Sequence, residues 1–310
     1  MEYRTLGKEV SMTGLLDGKG AVVAGGGRGI GREVALAFAR HGARVLVNDT
    51  GTELNGTGLD RGPTEQVVAE IARSGGVAIA NFASVADFTA AGEIVNACIH
   101  EFGRIDVLVN CATIARGGQL WETSEEDSDA VLAVTLKGTL NTCHHALRAM
   151  MKQGTGRIIN FASPSWLGVT GADAYTAAKG AVVSLTRGIA SRMKLDGYSI
   201  TCNAIAPIAR TRLTRMGDHS MWDRSLRAGI IDRQIYEDSV DPAGPEQIPP
   251  IVLYLATDQA AGVSGRVFGA SRGRVALYSE PKEETGIYKE GIWTLEELVK
   301  LFPRTLGREL

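Results

Sequence analysis

Lys19-Gly-Ala-Val-Val-Ala24 runs straight into Gly25-Gly26-Gly27-Arg28-Gly29-Ile30-Gly31, and Arg32 to His41, closed by Gly42, reads as a helix. The first segment is a short apolar run of the kind that forms a buried parallel strand. Strand, glycine turn and helix in that order let backbone N–H groups and a helix N-terminus face a pyrophosphate with no side chain in the way. A glycine-rich turn alone is weak evidence; this one sits in the context that gives it meaning. The next strand, Arg44 to Asn48, ends in Asp49, 18 residues beyond Gly31. A carboxylate there accepts hydrogen bonds from adenosine ribose hydroxyls and disfavours a 2′-phosphate, so NAD is expected over NADP. Arg28 pulls weakly the other way, since a guanidinium in the glycine turn can pair with a phosphate.

Beyond this unit the chain keeps alternating. Residues 50 to 63 carry glycines at 51, 56, 58 and 62 and end in Pro63, which predicts a long irregular loop whose length points to a binding role. A helix from Thr64 to Arg73, a strand from Val77 to Phe82 and a helix to His100 follow. After them come a strand from Arg104 to Val109, a long helix through Met151 and a strand from Arg157 to Phe161. Such alternation demands an α/β fold with a parallel sheet and right-handed crossovers. With 310 residues and no linker in the middle, one domain with terminal additions is a simpler reading than two. Residues 1–14 read as a polar arm, 15–269 as a dinucleotide-binding catalytic domain and 270–310 as a C-terminal extension. Within the extension, Thr294-Leu-Glu-Glu297 is a capping box opening a helix that ends before Pro303.

A net charge of -2 argues against a polyanion-binding surface, so nucleic acid is not an expected partner. Cys98, Cys111, Cys143 and Cys202 show no C-x-x-C pairing and sit in apolar runs. That suits reduced, buried thiols better than disulfides or a metal site, and no metal is expected. His144-His145 is an isolated pair assigned to a helix surface. No apolar run approaches the ~20 residues that span a bilayer, and Met1-Glu-Tyr-Arg has no hydrophobic region of a signal peptide behind it. A cytoplasmic protein without a membrane partner is the expectation.

The chemistry is carried by Gly171-Ala-Asp-Ala-Tyr175-Thr-Ala-Ala-Lys179-Gly180, where a phenol and an ammonium stand four residues apart in a helix-favouring run, hence on one helix face. A phenol titrates at roughly pH 10, but a cation beside it favours the phenolate, so it can trade a proton with an alcohol or ketone. Tyr175 is the candidate general acid/base and Lys179 the group that tunes it. Ser163 stands just past the carboxyl end of the fifth strand, where α/β sheets keep their ligands, and its hydroxyl can hydrogen-bond a substrate carbonyl.

The glycine turn, Asn110-Cys-Ala112, Ser163 and Tyr175-x-x-x-Lys179 stand in one order. Over about residues 17 to 270 the chain therefore resembles the short-chain dehydrogenase/reductase family, whose fold is a Rossmann-type doubly wound parallel sheet. Val47-Asn-Asp49 before a glycine-rich insertion, Phe102-Gly-Arg-Ile-Asp106 and Cys202-Asn-Ala-Ile-Ala-Pro207 are similar to the (3R)-hydroxyacyl-CoA dehydrogenase domain of multifunctional enzyme type 2. Bacterial hydroxysteroid dehydrogenases also resemble it. The resemblance implies an NAD-dependent oxidoreductase of lipid metabolism, a homodimer or homotetramer, acting on a 3-hydroxyacyl-CoA or a steroid- or terpenoid-like alcohol. It makes Tyr175 the acid/base, Lys179 the residue that lowers its pKa and holds the nicotinamide ribose, and Ser163 the one that orients the carbonyl. It gives the pyrophosphate to Gly25, Gly29 and Gly31 with Ile30 beside them, and the adenosine ribose to Asp49. Ser84, Asn110 and Ala112 take the adenine side, and the turn from Pro207 through Ile208 to Thr211 takes the carboxamide.

The chain also departs from the family. Thr113 stands where the family keeps Gly, Thr135 where it keeps the Asn of a proton relay, Ala83 where an Asp faces adenine, and Ile208 where Gly follows Pro. Ser163 lies 12 residues before Tyr175, one fewer than the family spacing, which requires a tightened loop. A weakly active or inactive dinucleotide-binding protein serving regulation or assembly is the alternative, against which intact Tyr175 and Lys179 argue. Residues 208–247 mix Met216, Met221 and Trp222 with Arg210, Arg212, Arg215, Arg224, Arg227 and Arg233. They read as a substrate lid whose arginines meet the phosphates of coenzyme A. A solvated helix pair whose arginines touch water, Asp223 and Asp232 fits those residues equally well.

Overall fold

The computed structural model describes residues 14–169, 172–214 and 219–308. Among them, β1 (Gly20–Ala24) lies beside β2 (Arg44–Asn48), which lies beside β3 (Val77–Asn81). On the other side of β1 come β4 (Val107–Asn110), β5 (Thr155–Phe161), β6 (Ser199–Pro207) and β7 (Val267–Ser271), all parallel. β8 (Arg274–Leu277) closes that edge antiparallel to β7.

Every residue of β1 is buried, because helices cover both faces of the sheet. Ala21 and Val23 enter a core packed by α1 (Gly29–Arg40), α2 (Gly62–Arg73) and α9 (Pro249–Ala256). Val22 and Ala24 point the other way, into a core packed by α3 (Phe88–Phe102), α5 (Gly138–Gln153) and α6 (Asp173–Leu195). The period of two in a strand is thus filled on both sides. Local chemistry sets the ends: the Asp87 carboxylate accepts from the Ala90 N–H at 2.7 Å to open α3, and Gly103, at φ +79, closes it. Strand order reverses between β1 and β4, and the carboxyl ends of the strands open there into a crevice.

Several boundaries differ from the sequence reading. α1 begins at Gly29 rather than Arg32, since the end of the glycine turn is itself the first helical turn. The long helix through Met151 is α4 (Glu125–Leu132), capped by Ser124, then a π-helical turn at Ala133–Lys137, then α5. β8 falls in the stretch read as an extension, because its four residues gain strand structure by pairing with β7. Residues 208–247 carry α7 (His219–Arg227) and α8 (Arg233–Val240), joined by the Tyr236 hydroxyl, which donates to Asp223 at 2.7 Å. Residues 1–13, Gly171, Arg215 and Met216 lie outside the described residues.

Contacts divide the chain after Tyr278. In the second unit, α10 (Leu295–Leu301) opens on a capping box: the Thr294 hydroxyl accepts from the Glu297 N–H, and the Glu297 carboxylate accepts from the Thr294 N–H. Cys98, Cys143 and Cys202 are buried free thiols, and Cys111 is half-buried. No helix among the described residues is long and apolar enough to cross a membrane.

Gly31, in the first turn of α1, lies so close to the glycine turn that an added Cβ would sit 2.0 Å from the Gly25 carbonyl oxygen. Gly31→Ala is expected to cost about 1–3 kcal/mol by overpacking, read by urea unfolding. A loss below about 0.5 kcal/mol would show that the turn can yield.

Candidate active site

The strand ends surround one cavity of about 450 Å³. Its floor at one end is the glycine turn. A Cβ on Gly25, which sits at φ +80, would lie 2.5 Å from the Ala112 nitrogen, and one on Gly27 would lie 3.0 Å from the Asp49 carboxylate. The turn therefore approaches β2 and β4 more closely than any side chain allows. Arg28, the N-cap of α1, makes no side-chain cap, and the first turn of α1 carries no acidic residue. The Gly25 and Gly26 N–H groups bond to the Asn48 carbonyl, so it is the uncapped N-terminus of α1 that is available to an anion, and this cradle fits the pyrophosphate of a dinucleotide. The Asp49 carboxylate is fixed beside it by the Gly27 N–H at 3.0 Å and the Gly51 N–H at 2.8 Å, with acceptor capacity left over.

At the other end α6 presents Tyr175 and Lys179 on one face. Lys179 is 3% exposed, and its ammonium donates to the Phe161 carbonyl at 2.6 Å, 5.4 Å from the centre of the Tyr175 ring. Burial pulls its pKa down to about 8. The same burial pushes the Tyr175 phenol well above its ordinary value, and hydrogen bonding from Ser163 draws it partly back. Desolvation dominates, and Ser163, rather than Lys179, is the group that lowers the phenol's pKa. Ser163 caps a 3₁₀ turn at Pro164–Leu167, accepting from the Ser165 N–H at 3.2 Å, and Gly168 ends that turn at φ +81. Ile114 and Val131 bury against Tyr175, and Leu213 and Ala172 pack on them, so the wall beside the phenol is apolar.

Of the residues that the sequence assigned to catalysis or cofactor binding, all but Gly31, Asn110 and Ile208 line this cavity. Gly31 packs beneath the turn. The Asn110 amide donates to Asn160 at 2.9 Å and accepts from the Thr142 hydroxyl at 2.7 Å, tying β4, β5 and α5 together behind the wall. The Ile208 N–H bonds to the Ala270 carbonyl at 2.9 Å. Arg28 does line the cavity, but its guanidinium is taken: it donates to the carbonyls of Gly51 and Thr52 at 3.2 and 3.1 Å and pairs with Asp60 at 3.2 Å. Among the described residues Arg212, itself partly exposed, is the one lid arginine on the wall, and Arg210, Arg224, Arg227 and Arg233 are exposed away from it.

Sequence reasoning missed Asn48, whose amide donates to Asn81 and to the Ala83 carbonyl, both at 2.9 Å, and so fixes the wall between β2 and β3. It also missed Leu54 and Leu59, though the glycine-rich insertion that carries them was the available signal. Thr113 and Thr135, two separate departures in sequence, are one feature in space. Their hydroxyls meet at 2.9 Å, with Thr135 buried in the π-helical turn and Thr113 on the cavity wall.

Residues 19–221 match the family model described as short chain dehydrogenase. The chain belongs to the short-chain dehydrogenases. It is 38% identical over 242 residues to the peroxisomal multifunctional enzyme type 2 of Drosophila melanogaster, covering 77% of this chain and 36% of that protein. It is 34% identical to the (2S)-[(R)-hydroxy(phenyl)methyl]succinyl-CoA dehydrogenase subunit BbsD of Thauera aromatica, covering 82% of this chain and 95% of that one. A crystal structure of a short chain dehydrogenase from Mycobacterium avium superposes with a TM-score of 0.78 at 36% identity, covering 95% of this chain and 96% of that one. The chain spans between 26% and 36% of the length of the peroxisomal hydratase-dehydrogenase-epimerase of Saccharomyces cerevisiae and the peroxisomal multifunctional enzymes of Drosophila melanogaster and Mus musculus.

A double-mutant cycle with Thr113→Val and Thr135→Val tests the hydroxyl pair. A coupling of about 0.5–1.5 kcal/mol in unfolding free energy is expected for one hydrogen bond. Additive losses would mean that the two hydroxyls do not share it.

Proposed function

We propose that this short-chain dehydrogenase exchanges a hydride between NAD and the secondary alcohol or ketone of a 3-hydroxyacyl-CoA. The observation that carries the reading is the shared cavity: a glycine cradle with Asp49 at one end, and Tyr175, Ser163 and Lys179 at the other. A nicotinamide dinucleotide supplies the hydride acceptor or donor when bound. Gly25, Gly29 and Ile30 would hold its pyrophosphate, Asp49 its adenosine ribose and Lys179 its nicotinamide ribose. Ser163 orients the reacting oxygen, and Tyr175 takes the proton from an alcohol or gives it to a ketone. Lys179, titrating at about 8, keeps its proton at neutral pH and stabilises the phenolate that forms as the alcohol is oxidised. The fixed Asp49 carboxylate supports NAD over NADP, since it repels a 2′-phosphate.

The thioester part rests on the apolar wall beside Tyr175 and on the relative named as a CoA dehydrogenase. The exposed lid arginines favour a second reading, an uncharged steroid- or terpenoid-like alcohol. Comparing a 3-hydroxyacyl-CoA with a free alcohol of the same carbon skeleton decides between them. The thioester should have a severalfold lower KM, and equal kcat/KM for the two would reject the thioester.

Tyr175→Phe should lower kcat by about 10² or more with NAD affinity nearly unchanged, because only the hydroxyl is lost. Activity within a factor of about three of wild type would remove Tyr175 from the mechanism. Ser163→Ala deletes the hydrogen bond that draws the phenol pKa down, so that pKa should rise. Alcohol oxidation needs the phenolate, so the acid limb of its pH profile should move to higher pH. An unmoved limb would mean that Ser163 has no hand in the proton transfer.

A further inference from the structure

An arginine in the glycine turn beside a ribose-binding carboxylate is ambivalent, because Asp49 repels a 2′-phosphate while a guanidinium borne by the cradle itself attracts one. The geometry resolves the conflict through the insertion loop. Arg28, with 26% of its side chain exposed, spends Nη1 on the Gly51 and Thr52 carbonyls and Nη2 on Asp60. Asp60 is delivered there by the backbone. Its N–H bonds to the Thr50 carbonyl at 3.3 Å, and its Oδ1 accepts from the Gly62 N–H at 2.9 Å. Gly51, at φ +72, comes so near that a Cβ would lie 1.6 Å from the Asp60 oxygen. The two ends of the loop are therefore pinched together at the Asp60 backbone, and the carboxylate is held between the Gly62 N–H and Arg28.

A second guanidinium reaches the same spot. Arg212 also donates to the Thr52 carbonyl, at 3.3 Å, and lies 4.0 Å from Glu53. Its pKa is lowered by burial first and then by the like charge of Arg28. Around this end of the cavity two guanidiniums thus face three carboxylates, Asp49, Glu53 and Asp60. Without Asp60 that balance becomes neutral, and Arg28 is released from its anionic partner.

We infer that Asp60 is a specificity-determining residue: by holding Arg28 in the insertion loop, it withdraws that guanidinium from a 2′-phosphate and reinforces the choice of NAD over NADP. The inference rests on the dinucleotide reading of the cavity proposed above. Asp60 acts through Arg28.

Calorimetric binding of two adenosine fragments, 5′-AMP and adenosine 2′,5′-bisphosphate, tests it without turnover. The proteins are wild type, Asp60→Asn and the double variant Asp60→Asn with Arg28→Gln. Asn keeps the oxygen that accepts from the Gly62 N–H, so the loop closure survives while the charge goes. Asp60→Asn should bind the bisphosphate roughly three- to tenfold more tightly, a modest gain because Asp60 is largely solvated, with 5′-AMP changed by less than about twofold. The gain should vanish in the double variant and shrink at high salt. Wild type preferring 5′-AMP, together with an Asp60→Asn variant that binds the bisphosphate no better, or a gain that persists without Arg28, overturns the inference alone. Wild type binding neither fragment, or preferring the bisphosphate, overturns the NAD reading and this inference with it.

Discussion

The ammonium of Lys179, a residue only 3% exposed, held under the end of β5 is the constraint on which the catalytic end of this protein depends. An unpaired charge costs several kcal/mol to bury, and here the Phe161 carbonyl meets one of its three donors. The cost appears as a pKa lowered to about 8, which still leaves the group charged at neutral pH. Because Tyr175 precedes Lys179 by one helical turn, fixing the ammonium fixes the phenol, and the apolar packing of Ile114 and Val131 around the phenol follows. Burial acts on both groups at once and in opposite senses, downward for the ammonium and upward for the phenol. A dry site of this kind makes each remaining hydrogen bond count for more, which is why Ser163 gains its influence over Tyr175.

Thr113 and Thr135 look in isolation like two lesions in a dehydrogenase site. In space they offset each other: the hydroxyl that Thr113 adds to the wall is satisfied by Thr135, and Thr135, 1% exposed, gains a partner for its own. The π-helical turn between α4 and α5 is what brings Thr135 to that wall. Such turns occur mostly as single-turn bulges within α-helices, and frequently at functional sites.

What was legible in the sequence was local. The glycine turn, Asp49 at the end of β2, and the four-residue spacing of Tyr175 and Lys179 each carry their geometry within one strand end or one helical turn. The alternation of strands and helices likewise gave the parallel sheet before any contact was known. The rest depends on partners far along the chain. Asn110 reads as a ligand residue until Asn160 and Thr142 claim its amide, and Arg28 reads as a phosphate contact until Asp60, 32 residues away, takes its guanidinium. β8 is four residues, with its charged first residue and Val275 both exposed, and only its pairing with β7 makes it a strand. The phenol pKa turned on burial, a property of the whole packed wall that no spacing of two residues encodes.

The insertion between β2 and α2 explains how the two ends of the cavity belong to one site. Arg28 and Arg212 hold its first half at the Thr52 carbonyl. Its tip is held by the Ala115 N–H, which donates to the Leu54 carbonyl at 2.9 Å, and by Arg116, which donates to the Asn55 carbonyl. At Gly56 a side chain would press on Ile114, the residue that buries against Tyr175. The loop therefore reaches from the ribose carboxylate to the catalytic wall, and that span requires its length. Tied at base and tip by carbonyls that no apolar ligand could replace, it forms its share of the cavity before anything binds. A preformed wall leaves less chain to order when a ligand arrives, so more of the contact energy goes into affinity and alignment.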